Sequence, residues 1–228
     1  MIIVNKLKMK NIKVVIWDCD NTVWIHRKDE ANIVVRELGI PLTQEFIDQY
    51  FNMFEKFEEF FEHKRITDER IVKFISKSMP ILSSYNITAE EFLKKWLPLN
   101  TSFLNEDALE TIKKLKEKGY ENIVLTDWVW SSQVKLLKHY GIYDYMDRVY
   151  TCDGQYLKKN PKSVSRIVKK GHEKDYVIVG DSLNSDIAFA NNAGIRSIWY
   201  NPYHKENKTK YYPTTEVASL LEVIEIVD

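Results

Sequence analysis

Val14, Val15, Ile16 and Trp17 run without a polar break into Asp18. An apolar run that short and continuous predicts a strand buried on both faces, as in a parallel sheet. Downstream of residue 101 the pattern alternates between such runs and stretches of helical spacing. Strands are expected at 123–125, 148–151, 176–179 and 196–200. Helices are expected at 105–118, 131–140, 161–170 and 185–193, closed by Gly119, Gly141, Gly171 and Gly194. Pro161 suits the first position of the third of these. A last helix is expected at 216–223, residues 1–12 read as a polar lead-in, 23–27 as a short turn and 202–213 as a polar loop.

Between residues 29 and 98 the periodicity is helical throughout. A helix at 29–38 closes on Gly39, and one at 43–62 carries a stripe of Phe46, Tyr50, Phe54, Phe57 and Phe61. Such a stripe is more often core than ligand wall. A third helix is expected at 67–79. Thr88 and Glu91 form a capping-box pattern that opens a fourth, ending before Pro98. Strand and helix taking turns is the mark of βαβ units. The expected architecture is therefore α/β: a doubly wound, Rossmann-like parallel sheet (1–27 and 99–228) with an inserted all-α helical-bundle cap (28–98).

Composition narrows the class. The chain has 228 residues, 44% hydrophobic and 29% charged, which argues for a folded chain and against disorder. Lys plus Arg and Asp plus Glu number 33 each. No excess of positive charge points to nucleic acid or an anionic membrane. Within residues 1–10 the run Ile2-Ile3-Val4 ends at Asn5 and Lys6, too short for a signal-peptide core, and no later run is long enough to span a bilayer. A cytoplasmic protein is expected. Cys19 and Cys152 form no spaced motif. Six residues after each stand Ile25 and Lys158, so the C-x5-R loop of a cysteine phosphatase is absent. So are the G-x-G-x-x-G and P-loop patterns.

The strand ends carry the chemistry. Asp18 and Asp20, spaced i and i+2, close the first strand and are followed by Thr22. Carboxylates that close repel, and a hard divalent cation such as magnesium is the natural counter-charge. The strand at 123 delivers Thr126 and Asp127. The strand at 176 delivers Asp181, with Ser182 and Asp186 beyond it. The loop after Thr151 adds Lys158 and Lys159. Carboxyl ends of parallel strands share one crevice. Up to five carboxylates and one or two lysines would gather there, a balance that suits a cation together with an anionic substrate.

These residues resemble the four motifs of the haloacid dehalogenase superfamily of phosphohydrolases. Asp18-Cys19-Asp20-Asn21-Thr22 is similar to the first motif and Ile123-Val124-Leu125-Thr126 to the second. Lys158 stands at the third, and Val179-Gly180-Asp181-Ser182-Leu183-Asn184-Ser185-Asp186 matches the fourth. The resemblance covers nearly the whole chain, and the helical insertion corresponds to that superfamily's cap. The run 180–202 and the turn His63-Lys64-Arg65-Ile66-Thr67 look most similar to the small-phosphate and 5′-nucleotide phosphatases.

The resemblance implies Asp18 as nucleophile and Asp20 as acid and base, acting on a small phosphorylated metabolite. It implies Mg2+ held by Asp18, the Asp20 backbone carbonyl and Asp181. Thr126, Asp127 and Lys158 would bind the phosphoryl group, with Thr22, Ser182 and Asp186 supporting them. Two departures stand out. The second motif continues Asp127-Trp128 where the superfamily usually has Asn-Gly, and Lys158 is followed by Lys159 where proline is common, so two lysines compete for one role. His63, Lys64 and Arg65 form the most polar turn of the insertion and are the candidates for substrate selectivity. Three other readings use the same residues: transfer of phosphate to an alcohol, a receiver-like domain, and a degenerate phosphate-binding relative.

Overall fold

The computed structural model describes residues 8–61, 66–99, 101–153 and 157–228. The chain enters through β1 (Val14–Trp17) and β2 (Trp24–His26). It then runs through α1 (Glu30–Leu38), α2 (Gln44–Phe61), α3 (Asp68–Ser78), α4 (Ile81–Ser84) and α5 (Ala89–Trp96), and returns through β3 (Ser102–Leu104). From there helix and strand alternate: α6 (Ala108–Glu117), β4 (Glu121–Leu125), α7 (Trp130–His139), β5 (Arg148–Tyr150), α8 (Pro161–Ile167), β6 (Tyr176–Gly180), α9 (Ala188–Ala193), β7 (Arg196–Tyr200), β8 (Thr215–Val217) and α10 (Glu222–Val227).

The main sheet has the order β5-β4-β1-β6-β7-β8, and all its pairings are parallel. In β1, Ile16 stands level with Ile123 of β4 and Ile178 of β6. Alternate strand residues feed two cores. Val15, Trp17, Val124 and Val179 join the helices on one face, while Val14, Ile16, Ile123 and Ile178 meet α9 on the other. Burial on both faces is why these strands read as unbroken apolar runs. The buried Trp17 indole keeps a polar partner, donating to Asn122 Oδ1 at 3.0 Å.

The insertion's helices carry the expected stops. Gly39 closes α1 with φ +71°, Thr67 Oγ1 caps α3, and Thr88 and Glu91 close a reciprocal capping box on α5. Phe46, Tyr50, Phe57 and Phe61 are buried against Phe74, Phe92 and Trp96. Val129, Cys152 and Leu157, from loops at the carboxyl ends of the strands, belong to the same cluster, so these helices sit over that end of the sheet.

Four expectations are corrected. The turn expected at 23–27 contains β2, which pairs antiparallel with β3 (Trp24 with Leu104, His26 with Ser102) and forms a stem under the insertion. The two strands of this pair stand on either side of the whole insertion, so no local pattern announces their pairing. The helix expected at 216–223 splits: Thr215–Val217 is the edge strand β8, and α10 starts at Glu222, whose carboxylate accepts from the Ala218 and Ser219 N–H groups. The helix expected to reach 170 ends at Ile167. The helix expected at 185–193 opens as a π-helical turn, Leu183–Ile187, before α9. No described helix is long and apolar enough to cross a membrane. Cys19 and Cys152 are buried free thiols.

Candidate active site

β1 ends at Trp17, so the next residue, Asp18, emerges at the sheet's carboxyl edge, and its N–H continues the ladder to Val179 O at 3.0 Å. Its side chain is buried and accepts from the Lys158 ammonium, which donates in addition to Asp186 Oδ1 at 2.6 Å. Carboxylate oxygens of Asp18, Asp181 and Asp186 lie within 4.8 Å of one another. Lys158 is the inward lysine and is itself buried, whereas Lys159 is exposed.

The order β4-β1-β6 makes this convergence possible, because it sets three motif-bearing strand ends side by side. The wide turn after β6 then redirects Asp186. Ile187 N–H reaches back five residues to Ser182 O at 3.2 Å, and Ser182 N–H donates to Asp186 Oδ2 at 3.0 Å. Such π-turns occur often at functional sites. Gly180 leaves room for it: a Cβ there would fall 2.2 Å from Asp186 Cγ.

Burial, reinforced by the Asp186 charge, pushes the Asp18 carboxyl well above the usual carboxylate range. The same two causes raise Asp181 to about 7. Burial raises Asp186 too, against the pull of Lys158. Burial alone would lower Lys158, but the charges of Asp18 and Asp186 hold its ammonium firmly protonated. Three carboxylates facing one ammonium leave the cluster short of positive charge. An oxygen-only donor set suits a hard divalent cation such as magnesium, so these residues fit the metal expected from the sequence. Asp186, expected only in a supporting role, stands inside the cluster. Asp20 does not offer its carboxylate there.

Asp20 is occupied differently. Its Oδ1 accepts from Trp24 Nε1 at 3.0 Å and lies 3.1 Å from His26 Nε2. Its Oδ2 accepts from Gln133 Nε2 at 3.0 Å and, at a longer 3.4 Å, from Thr126 Oγ1. His26 Nδ1 lies 3.0 Å from Glu30 Oε2 on α1. Burial opposes both charges, yet the mutual hydrogen bonds outweigh it. Asp20 is held below the carboxylate range, and His26, between two acids, is lifted to about 10.

Thr126 therefore touches Asp20 and not the lysine cluster. The Asp127 carboxylate is spent inside the protein: it accepts from Lys158 N–H at 2.7 Å and Ser185 Oγ at 2.8 Å, lacing the second, third and fourth motifs together. Thr22 is buried, and its backbone carbonyl accepts from Asn105 Nδ2 at 2.9 Å. Its hydroxyl has no partner among the described residues.

Above the carboxylates is a cavity of about 440 Å³. Its cover is aromatic: Tyr50, Phe51, Phe54 and Phe57 of α2, Trp96 of α5 and Trp128 of the second motif. The Trp128 ring lies 4.9 Å from Phe57 and 5.3 Å from Trp96, centroid to centroid. The α2 stripe is thus core on one side and cavity wall on the other. Phe60 instead stacks on Phe61 and Phe74. His63, Lys64 and Arg65 lie outside the described residues. His26, Glu30 and Gln133 are the site residues that sequence reasoning missed. Only the i, i+4 spacing of His26 and Glu30 was there to be noticed.

A doubly wound parallel sheet with carboxylates gathered at the ends of β1 and β6, beneath helices spliced in after β1, defines a class of hydrolases. The chain belongs to the haloacid dehalogenase-like hydrolases, whose profile matches residues 12–194. It is 25% identical over 228 residues to the pyrimidine 5′-nucleotidase of Streptococcus pneumoniae, covering 95% of each chain. It is 27% identical over 243 residues to the glyceraldehyde 3-phosphate phosphatase of Pyrococcus furiosus, again covering 95% of each. In fold it is similar to a putative hydrolase of this family from Bacillus subtilis solved with magnesium, with a TM-score of 0.71, 22% identity, and coverage of 96% and 100%.

Proposed function

We propose that the protein is a magnesium-dependent phosphatase that hydrolyses a small phosphomonoester through a phosphoaspartate on Asp18, with a nucleoside 5′-monophosphate as the preferred substrate. The observation that carries this is the Lys158 ammonium clamped between the Asp18 and Asp186 carboxylates at the floor of an aromatic-walled cleft.

In this reading an Asp18 oxygen attacks phosphorus and the ester P–O bond breaks. The leaving oxygen takes its proton through Asp20, whose Oδ1 shares one with the protonated His26 imidazole at 3.1 Å. Asp20 then takes a proton from water as that water attacks the phosphoaspartate, which frees inorganic phosphate and restores Asp18. Lys158 and the Asp127 backbone N–H hold the phosphoryl oxygens as charge moves onto them. Asp18, Asp181, Asp186 and the Asp20 carbonyl are the groups that would hold Mg2+. When bound, that ion offsets the phosphate's charge and so makes a carboxylate nucleophile effective.

The cover argues for the leaving group. Residues 28–98 form the cap of this reading, and residues 1–27 and 99–228 the catalytic core. The cap lines the cavity with the rings of Tyr50, Phe54 and Trp96, and Trp128 adds another from the core. Stacking a base on such rings is worth about 1–3 kcal/mol. A sugar phosphate needs hydroxyl partners, and the Tyr50 hydroxyl is already engaged by Trp96 Nε1 at 3.1 Å. The pyrimidine nucleotidase relative fits this choice, and the glyceraldehyde 3-phosphate relative marks the competing one.

The test is a panel of phosphorylated metabolites assayed with Mg2+ and with excess chelator. Nucleoside monophosphates should lead sugar phosphates by tenfold or more in kcat/KM, and chelator should abolish turnover. Full activity in chelator overturns the metal. Near wild-type turnover in Asp18→Asn overturns the nucleophile. A sugar phosphate at the head of the panel overturns the substrate alone.

A further inference from the structure

The carboxylate of Asp20 is gripped by four donors. Trp24, Gln133 and Thr126 come from the stem, α7 and the end of β4, all on the sheet side of the cleft. His26 differs because it has a second attachment. Its Nε2 faces Asp20 Oδ1 at 3.1 Å and its Nδ1 faces Glu30 Oε2 at 3.0 Å. Glu30 is the first residue of α1 and is buried, with 4% of its surface exposed. The Tyr50 hydroxyl accepts from Trp96 Nε1 at 3.1 Å. Tyr50 and Trp96 both line the cavity cover. Glu30, His26 and Asp20 thus form one chain of hydrogen bonds, from the first helix of the cover to the group that would protonate the leaving oxygen.

We infer that His26 is a positioning residue: it fixes the Asp20 carboxylate in register with the cap through Glu30, so that the seat of the cover sets the aim of the acid and base. The inference rests on the assignment of Asp20 made above. The reason is geometric. A carboxyl group on a short side chain turns freely unless both oxygens are held, and a misplacement of about 1 Å at a reacting centre costs on the order of 100-fold in rate. Half-buried groups with their partners satisfied on both sides hold that aim. A tie made only to the sheet would leave Asp20 indifferent to whether the cover is seated. A tie through Glu30 makes the two move together. Both ring nitrogens of His26 are committed to carboxylates, so the imidazole spans the gap as a strut.

The test is a double-mutant cycle on the full chain with Mg2+, using a nucleoside 5′-monophosphate. In the wild-type background His26→Ala should lower kcat about 30- to 100-fold while KM stays within about threefold. Glu30→Gln keeps the shape but weakens the tie, and should lower kcat about 3- to 10-fold. In the Asp20→Asn background neither change should cost more than about twofold, because nothing is left to aim. Equal losses in both backgrounds would show that His26 supports the fold or the substrate directly, and would overturn the inference. So would an unchanged kcat in His26→Ala. If that variant does not fold, Glu30→Gln carries the cycle by the same criterion. An Asp20→Asn variant as active as wild type would instead overturn the role of Asp20, a failure read before His26 is touched.

Discussion

One methyl group placed at Gly180 should dismantle the carboxylate cluster. Gly180 ends β6 with an ordinary backbone conformation, so its need is for space. An added Cβ would lie 2.2 Å from both Cγ and Oδ2 of Asp186 and 2.7 Å from its Cβ. Ordinary contact begins near 3.4 Å, so Asp186 must retreat by about 1.2 Å. It has nowhere to go: the residue is fully buried, Oδ1 is bound by Lys158 and Oδ2 by Ser182 N–H. Both bonds involve a charged group, and each is worth about 1.5–3 kcal/mol. Losing them predicts a destabilisation of about 3–6 kcal/mol. For a chain of this length that lowers Tm by roughly 6–24 °C, at about 2–4 °C per kcal/mol. Turnover should fall at least 100-fold, because Lys158 loses one of its two anchors. The measurement is a thermal melt beside a phosphatase assay. Gly171→Ala is the control: its φ is +83° with nothing near the added carbon, so strain alone costs about 1–2 kcal/mol and activity should survive. A Gly180→Ala protein that melts within 2 °C of wild type and keeps its kcat would refute the claim that Asp186 is pinned.

Three further outcomes are expected. Asp181 is raised from 3.8 to about 7 in the folded chain, so between those values the folded form keeps a proton that the unfolded form has lost. Metal-free stability should therefore fall as pH rises through that window, by about 1.4 kcal/mol per unit for each such group. Added Mg2+ should raise Tm more at pH 7.5 than at 5.5, and an equal effect at both would contradict this. Asp127→Asn should leave KM for a small aryl phosphate nearly unchanged, since that carboxylate holds Lys158 N–H and Ser185, and a large drop in KM would mean it repels substrate. Trp128→Leu should raise KM for a nucleoside monophosphate about tenfold, the loss of one stacking ring, and leave that for a small aliphatic phosphate alone. Parallel rises in both would assign Trp128 to the fold.

Most of the sheet was legible because burial on two faces writes an unmistakable local pattern, as in Val14–Trp17. The carboxylates were legible because each stands at the end of such a run. Capping was legible too, since Thr88 and Glu91 act within one turn. Elements whose reason lies elsewhere in the chain were not. β2, β3 and β8 are strands of three residues that exist only because a partner is adjacent, and the helix expected at 216–223 gave way when Thr215–Val217 found β7. The sequence offered Lys158 and Lys159 alike, and the fold buried one of them between two carboxylates. Asp20 could be named from its spacing but its partners could not. Trp24 and His26, Thr126, and Gln133 come from three separate segments, and only the folded chain sets them around one carboxylate. Local patterns are set by interactions within a few residues and survive in one dimension. A site is set by which strand ends become neighbours, and the side chains that close it around the substrate are chosen by distances the linear order does not contain.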